Sequence, residues 1–258
     1  MDLKNMTISA IRSLCEAEEV DEKLMVALSQ DERNGVRQLY ERMQKRRMAY
    51  EAELARINQM NRYENALRQK GYSQIAGVDE VGRGPLAGPV VAAAVVLPPD
   101  AIILGINDSK KIPELKRERL AEEIKAKAIA WSVQVVDEEY IEKYNILQAS
   151  LHAMQLAVED LGEKVDHLLV DAVTVPGVSV LQQGIIGGDA KSASIAAASI
   201  IAKVTRDAIM KDLHEIYPQY GFDQNKGYAS AAHCDALRKY GPTPVHRPLF
   251  IRNILAVD

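Results

Sequence analysis

Cysteine is nearly missing from this chain, and its two copies exclude more than they suggest. Cys15 and Cys234 lie far apart and neither has a CxxC partner, so neither a disulfide framework nor a thiolate metal knot organises the fold. Long hydrophobic runs are also lacking. The longest, Val90 to Leu97 and Ile195 to Ala202, fall far short of the roughly 20 residues a transmembrane helix needs. The opening MDLKNMTISA has no basic start, apolar middle and small-residue cleavage site, so no secretion signal is read. These absences lead to the expectation of a cytoplasmic protein with no membrane association. A strong positive charge is absent as well. The net charge of -4 does not announce a polyanion binder, but it does not exclude one, since bound cations neutralise an acidic metal site and phosphate contacts depend on local patches.

What is present is ordinary in bulk. At 258 residues, 47% hydrophobic and 26% charged, the chain can bury a real core as one large domain or as a domain with an appendage. Its first 70 residues stand apart: they hold no proline and only one glycine, Gly35, and are dense in the helix formers Glu, Arg, Met and Leu. Apolar positions at Ile11, Leu14, Leu24, Ala27 and Leu28, then at Val36, Leu39, Tyr40, Met43, Tyr50, Leu54, Ile57 and Leu67, predict an amphipathic helical hairpin broken at Asn34-Gly35. Lys45, Arg46 and Arg47 on its second arm are read as a solvated face.

From Gly71 the texture becomes that of an α/β domain. Ile75 to Val78 is an apolar lead-in to a strand, and Val90 to Leu97 (VVAAAVVL) reads as a strand covered on both faces. A helix is predicted over Ile112 to Ala130 with Pro113 in its first turn, then a strand over Trp131 to Val136 and one or two helices over Asp137 to Leu161. Strands follow at His167 to Asp171 and Val180 to Gly188, then helices at Ser192 to Tyr217 and Ala229 to Tyr240. The small residues of SASIAAASIIA suit a helix lying close against the sheet. On the same helix Arg206 is read as solvated, while Lys203 is left open between a solvated side chain and a phosphate contact.

The chemistry gathers at strand ends. Asp79 and Glu80 close the first strand, Asp171 closes HLLVD, and Asp189 closes IIGGD. One such acid often only caps a turn. Four form a candidate site that like-charge repulsion would forbid without cations. A pair of Mg²⁺ or Mn²⁺ ions about 4 Å apart, the arrangement that cleaves phosphodiesters, is the natural occupant. Lys191 and Ser192 open a helix whose N-terminal amides face the same region and suit a phosphate. Gly82 and Gly84 let a backbone approach a ligand, although both could simply form a turn, and Tyr228 could be a core aromatic. His246, Arg247, Lys110 and Lys111 stay open as phosphate contacts. No catalytic role is read for His152, His167, His214 or His233.

DEVGRGPLAGP, NDSKK, LLVDA, GGDAKSASIAAASIIAKVTRD, YGFDQNKGY and GPTPVHR, in that order, resemble ribonuclease HII of the ribonuclease H superfamily. The resemblance covers about Gly71 to Phe250; some bacterial members carry a similar helical extension before it. It implies a ribonuclease H-like α/β fold, a mixed β-sheet flanked by helices, with a helical C-terminal part and a helical N-terminal extension, divided into 1–70 and 71–258. It implies that Asp79, Glu80, Asp171 and Asp189 are the metal-binding catalytic acids. It further implies that Gly82, Arg83 and Gly84 recognise the 2′-hydroxyl at an RNA-to-DNA junction and that Tyr228 packs on the deoxyribose beyond it. The expected activity is endonucleolytic cleavage of RNA in RNA–DNA hybrids and 5′ to ribonucleotides embedded in duplex DNA, leaving a 3′-hydroxyl and a 5′-phosphate. A monomer is expected, and no protein partner is named by the sequence. The sister family ribonuclease HIII shares the acids, but usually has another residue where Arg83 stands and a β-rich N-terminal domain. A non-catalytic nucleic-acid-binding protein is the rival from another class, and retention of all four acids opposes it.

Overall fold

In a computed structural model of the chain, residues 3–16, 22–162 and 165–256 are described. The chain divides into two compact units, Met1–Arg56 and Ile57–Asp258.

The first unit holds α1 (Ile8–Cys15), α2 (Glu22–Ser29) and most of α3 (Asn34–Met60). Its core joins Ile11, Cys15, Leu24, Leu28, Val36, Leu39 and Met43. The expected two-arm hairpin is therefore corrected to a three-helix arrangement. Asn34 and Gly35 start α3, and Gly35 is small because a Cβ there would meet Ile8 Cδ1 at 2.7 Å. The break falls just before them. There the Asp31 carboxylate accepts from the Arg33 amide at 3.0 Å, while the Arg33 guanidinium donates to the carbonyls of Met6 and Leu3.

The second unit is built on five strands in the order β3-β2-β1-β4-β5: β1 Ile75–Val81, β2 Val90–Val96, β3 Ala130–Val136, β4 His167–Asp171 and β5 Leu181–Ile185. β1 pairs antiparallel with β2 and parallel with β4, and β4 pairs parallel with β5, so the sheet is mixed. β2 is buried along its whole length, as its unbroken apolar run predicts. Its Val91, Ala93 and Val95 face α5 (Glu114–Lys127) and α7 (Ala193–Ile216). Its Val90, Ala92, Ala94 and Val96 face α6 (Glu138–Leu161). The helix predicted over Ile112 to Ala130 is shorter than expected, with Pro113 at its N-cap, because Ala130 already belongs to β3. α6 bends at Asn145, whose φ is 71°. The last predicted strand ends at Ile185, and Asp189 lies beyond it in a 3-10 turn, Gly188–Ala190.

One contact fixes the whole site. A Cβ on Gly77 would lie 2.0 Å from the Ser194 carbonyl carbon, so only glycine lets α7 approach β1 this closely. α4 (Arg62–Arg68), α8 (Phe222–Asn225), α9 (Ala231–Tyr240) and α10 (Pro248–Leu255) complete the unit. No helix among the described residues is long and apolar enough to cross a membrane.

Candidate active site

Parallel pairing brings the carboxyl ends of β1, β4 and β5 to one edge, the usual place for a ligand in an open α/β sheet. Val78 is in register with Val170, so Asp79 and Asp171 emerge side by side. Asp79 shares the face of Gly77 and points toward α7, where the Ser199 hydroxyl bonds its carboxylate. Its Oδ1 also accepts from the Glu80 amide at 2.8 Å. Asp171 Oδ1 accepts from the Gly188 amide at 2.7 Å, which ties the turn bearing Asp189 to the end of β4.

The charges do not rest easily together. Burial, and after it the charge of Glu80, pushes the Asp79 carboxyl well above the usual carboxylate range, with Asp171 adding to the rise. Burial raises Glu80 too, against the pull of Arg83, whose Nη1 lies 3.3 Å from Glu80 Oε1. Burial raises Asp189, with Asp108 and then Asp171 contributing. Asp108 is an acid not singled out in the sequence; its carboxylate accepts from the Lys110 amide at 2.9 Å.

Among the described residues no three His, Cys, Asp or Glu side chains converge closely enough to hold a metal ion. The carboxylates instead take up local donors, Ser199, Arg83 and the Gly188 amide. The donor set nevertheless fits a hard divalent cation: every candidate ligand is a carboxylate oxygen, and the raised acids mark negative charge that a cation would relieve.

Lys110 is the cation that answers these acids. Burial works against its charge, but Asp189, Asp79 and Asp108 more than offset this and hold it above its ordinary value, with Tyr228 also near. Lys191 is turned elsewhere, its ammonium donating to the Ile186 carbonyl at 2.6 Å.

The loop after β1 is held from beneath by two buried arginines. Arg206, expected in solvent, is fully buried and donates to the carbonyls of Pro89, Lys226 and Ala87 at 2.9, 2.9 and 3.1 Å. Arg247, left open as a phosphate contact, is 1% exposed. Its Nη2 donates to Gly82 at 2.7 Å and to Gly88 at 2.6 Å, and its Nη1 donates to Pro85 at 3.0 Å and to Arg83 at 3.3 Å. Burial, and the neighbouring Arg206, pushes the Arg247 guanidinium down to about 9, which still leaves it charged at neutral pH. Lys203, left open in the sequence, pairs with Asp207 at 2.6 Å.

Gly82, with φ at +100°, has no room for a side chain, since a Cβ would meet Arg206 Nε at 2.5 Å. Gly84 is different. Its φ is not positive, and a Cβ there would meet only Tyr228 Cε1, at an ordinary 3.8 Å. The fold therefore does not require glycine at this position.

Tyr228 is set by a buried histidine pair. The Thr243 amide donates to His246 Nδ1 at 3.0 Å, which leaves the proton of the neutral ring on Nε2. That proton points to His233 Nε2 at 3.0 Å, and His233 Nδ1 then donates to the Tyr228 carbonyl at 2.9 Å. Burial lowers both rings, with His246 down to about 4, in keeping with neutral imidazoles.

Comparison with known proteins follows the two parts of the chain. Residues 76–253 match the family model Ribonuclease HII, and residues 7–68 match the model Ribonuclease HII N-terminal domain. The chain is 53% identical over 205 residues to ribonuclease HII of Caldanaerobacter subterraneus subsp. tengcongensis, covering 80% of this chain and 85% of that one. It is 46% identical to ribonuclease HII of Acetivibrio thermocellus, covering 97% and 99%. Among solved structures it is similar to ribonuclease H2 from Pyrococcus horikoshii, with a TM-score of 0.61 and 27% identity over 70% of this chain and 97% of that one.

Proposed function

The chain belongs to the ribonuclease HII family of endoribonucleases that cleave RNA in RNA–DNA hybrids, and on that premise we propose how its own residues select and cut the substrate. Asp79, Glu80, Asp171 and Asp189 would hold the divalent cations, Mg²⁺ or Mn²⁺. Bound there, such cations would supply Lewis acidity, which favours in-line attack by water and offsets charge on the departing 3′ oxygen. The cut falls 5′ to a ribonucleotide at an RNA-to-DNA junction, single embedded ribonucleotides included, and leaves a 3′-hydroxyl and a 5′-phosphate.

The chain's own groups place the substrate. Lys110, beside Asp79 and Asp189, meets the phosphate that lies over the acids. The Gly82-Arg83-Gly84 backbone presents itself to the 2′-hydroxyl, the only mark that separates the two sugars at one site. Tyr228 takes the deoxyribose that follows. Arg83 is half in solvent and half on Glu80, so it can reach the substrate while keeping the recognition loop beside the acids.

The observation that supports this reading is that Gly84, four residues after Glu80, faces the exposed Tyr228 ring with no packing need for glycine. The proposal sets a test for the sugar next to a site for cutting its phosphate. The direct experiment is cleavage of a DNA duplex with one ribonucleotide, with both new ends mapped. A single nick 5′ to the ribonucleotide, with a 3′-hydroxyl and a 5′-phosphate, is expected; cleavage only within RNA tracts would overturn the junction reading.

A further inference from the structure

Glu64 lies in the stretch matched by the N-terminal family model, yet it falls in the second compact unit, with the sheet and its acids. It is 2% exposed. Its Oε1 accepts three hydrogen bonds: from the Ser192 hydroxyl at 2.6 Å, the Ser194 hydroxyl at 2.7 Å and the Ser194 amide at 3.0 Å. Its Oε2 has no hydrogen-bond partner among the described residues. Such a carboxylate is costly to bury unless a positive potential meets it, and the N-terminus of α7 supplies one.

α7 thereby has two caps. Ser192 accepts from the Ile195 amide at 3.2 Å in the usual way, and Glu64 takes the Ser194 amide from another element. Both serines border the acids. The amides of Lys191 and Ser192 donate to the Gly188 carbonyl at 2.9 and 2.8 Å, which closes the turn around Asp189. The Gly188 amide is held by Asp171, and a Cβ on Gly188 would strike Ile195 Cδ1 at 2.5 Å. Ser194 also meets Gly77, two residues before Asp79.

We propose that Glu64 is a positioning residue for cleavage: by clamping Ser192 and Ser194 it fixes the start of α7, and with it the spacing between Asp189 and Asp79. The stretch around Glu64 is then a working part of the catalytic unit, although it precedes the sheet. The proposal rests on the assignment of Asp189 to the cation-holding group.

The test uses the full-length chain with Glu64→Ala and Glu64→Gln. Three quantities are measured: Mn²⁺ affinity by calorimetry without substrate, amide exchange over residues 188–195 in metal-free protein, and kcat and KM on an RNA–DNA hybrid well below the melting temperature. Glu64→Ala is expected to weaken Mn²⁺ binding about tenfold, as loss of a group that orients metal ligands does. It should also speed exchange over 188–195 and lower kcat, leaving KM within about twofold. Glu64→Gln keeps the accepting oxygen and should recover most of the exchange protection. Ser194→Ala removes one donor and should shift all three readouts in the same direction by less, which serves if Glu64→Ala does not fold. Unchanged Mn²⁺ affinity and kcat in the variants that fold, whatever their melting temperature, would overturn the proposal. Asp189→Asn separates the two ideas. If it binds Mn²⁺ and cleaves normally, the carboxylate reading fails; if it is inert while Glu64→Ala behaves as wild type, only the role of Glu64 fails.

Discussion

The acid corner and the loop from Gly82 to Pro89 begin three residues apart in the chain, and they treat charge in opposite ways. At the corner, like charges are pressed together, and burial and repulsion raise Asp79, Glu80 and Asp189. In the loop, two buried guanidiniums sit against carbonyl oxygens, with six donor contacts at 3.1 Å or less in addition to the longer one to Arg83. On the proposed reading, cations would complete the strained corner, whereas the loop is satisfied from within and its outer face keeps one shape for the substrate.

The largest expected effect comes from breaking the first half of that contrast. Asp79→Asn should lower cleavage by roughly 10²–10³ or more, while stabilising the metal-free protein. Because the folded pKa of Asp79 is raised, its contribution to stability is fully present below the ordinary carboxylate value and is lost as pH rises through the folded value. The melting temperature of metal-free wild type should therefore decline with rising pH above about 4 more steeply than that of Asp79→Asn. Mn²⁺ should restore wild type and not the variant. Calorimetric scans in chelator at several pH values check this, and a variant less stable than wild type near neutral pH would refute the account of a strained corner.

Breaking the second half should cost stability rather than gain it. Arg247→Lys keeps a charge but offers one compact ammonium where a planar fork served four carbonyls. Stranding buried acceptors should destabilise by about 2–4 kcal/mol. It should also blur the preference for ribonucleotide over deoxyribonucleotide at the cut, read as the ratio of cleavage rates on paired duplexes. A loss of stability with that ratio intact would mean that the clamp holds the fold and not the recognition face.

The same contrast explains what could be read in advance. Strands and acids were legible because an apolar run ending in a carboxylate is a local pattern, and three such runs coincide with β1, β4 and the turn after β5. The closeness of α7 to the sheet was legible in its small residues, which meet Gly77. The arginine clamp was not, because a guanidinium's burial depends on carbonyls far away in the chain: Arg206 reaches Pro89 and Arg247 reaches Gly82. Locally both look like solvated helix or loop cations. Glu64 was hidden for the same reason, its partners lying on α7 while its neighbours compose an ordinary amphipathic helix. Asn34-Gly35 misled in the other direction. A dipeptide common in turns here opens a helix, since the chain reversal is made by Asp31 and Arg33.

The smallest expected effect is the sharpest test of the recognition face. Tyr228 contributes little to the core; its ring is 41% exposed, and its carbonyl, held by His233, survives truncation of the side chain. Tyr228→Ala should therefore leave the melting temperature within about 2 °C. It should slow cleavage at a single embedded ribonucleotide by about tenfold, the loss of roughly 1.4 kcal/mol of contact in the transition state. Within an all-RNA tract, where each cut can be followed by another ribose rather than a deoxyribose, the loss should be smaller. The comparison of the two substrates is what matters. A uniform loss on both would make Tyr228 a general substrate support, leaving the backbone of Gly82 to Gly84 as the sole reader of the junction. A loss concentrated on the single ribonucleotide would divide recognition between a glycine backbone that tests for the hydroxyl and a ring that tests for its absence on the next sugar.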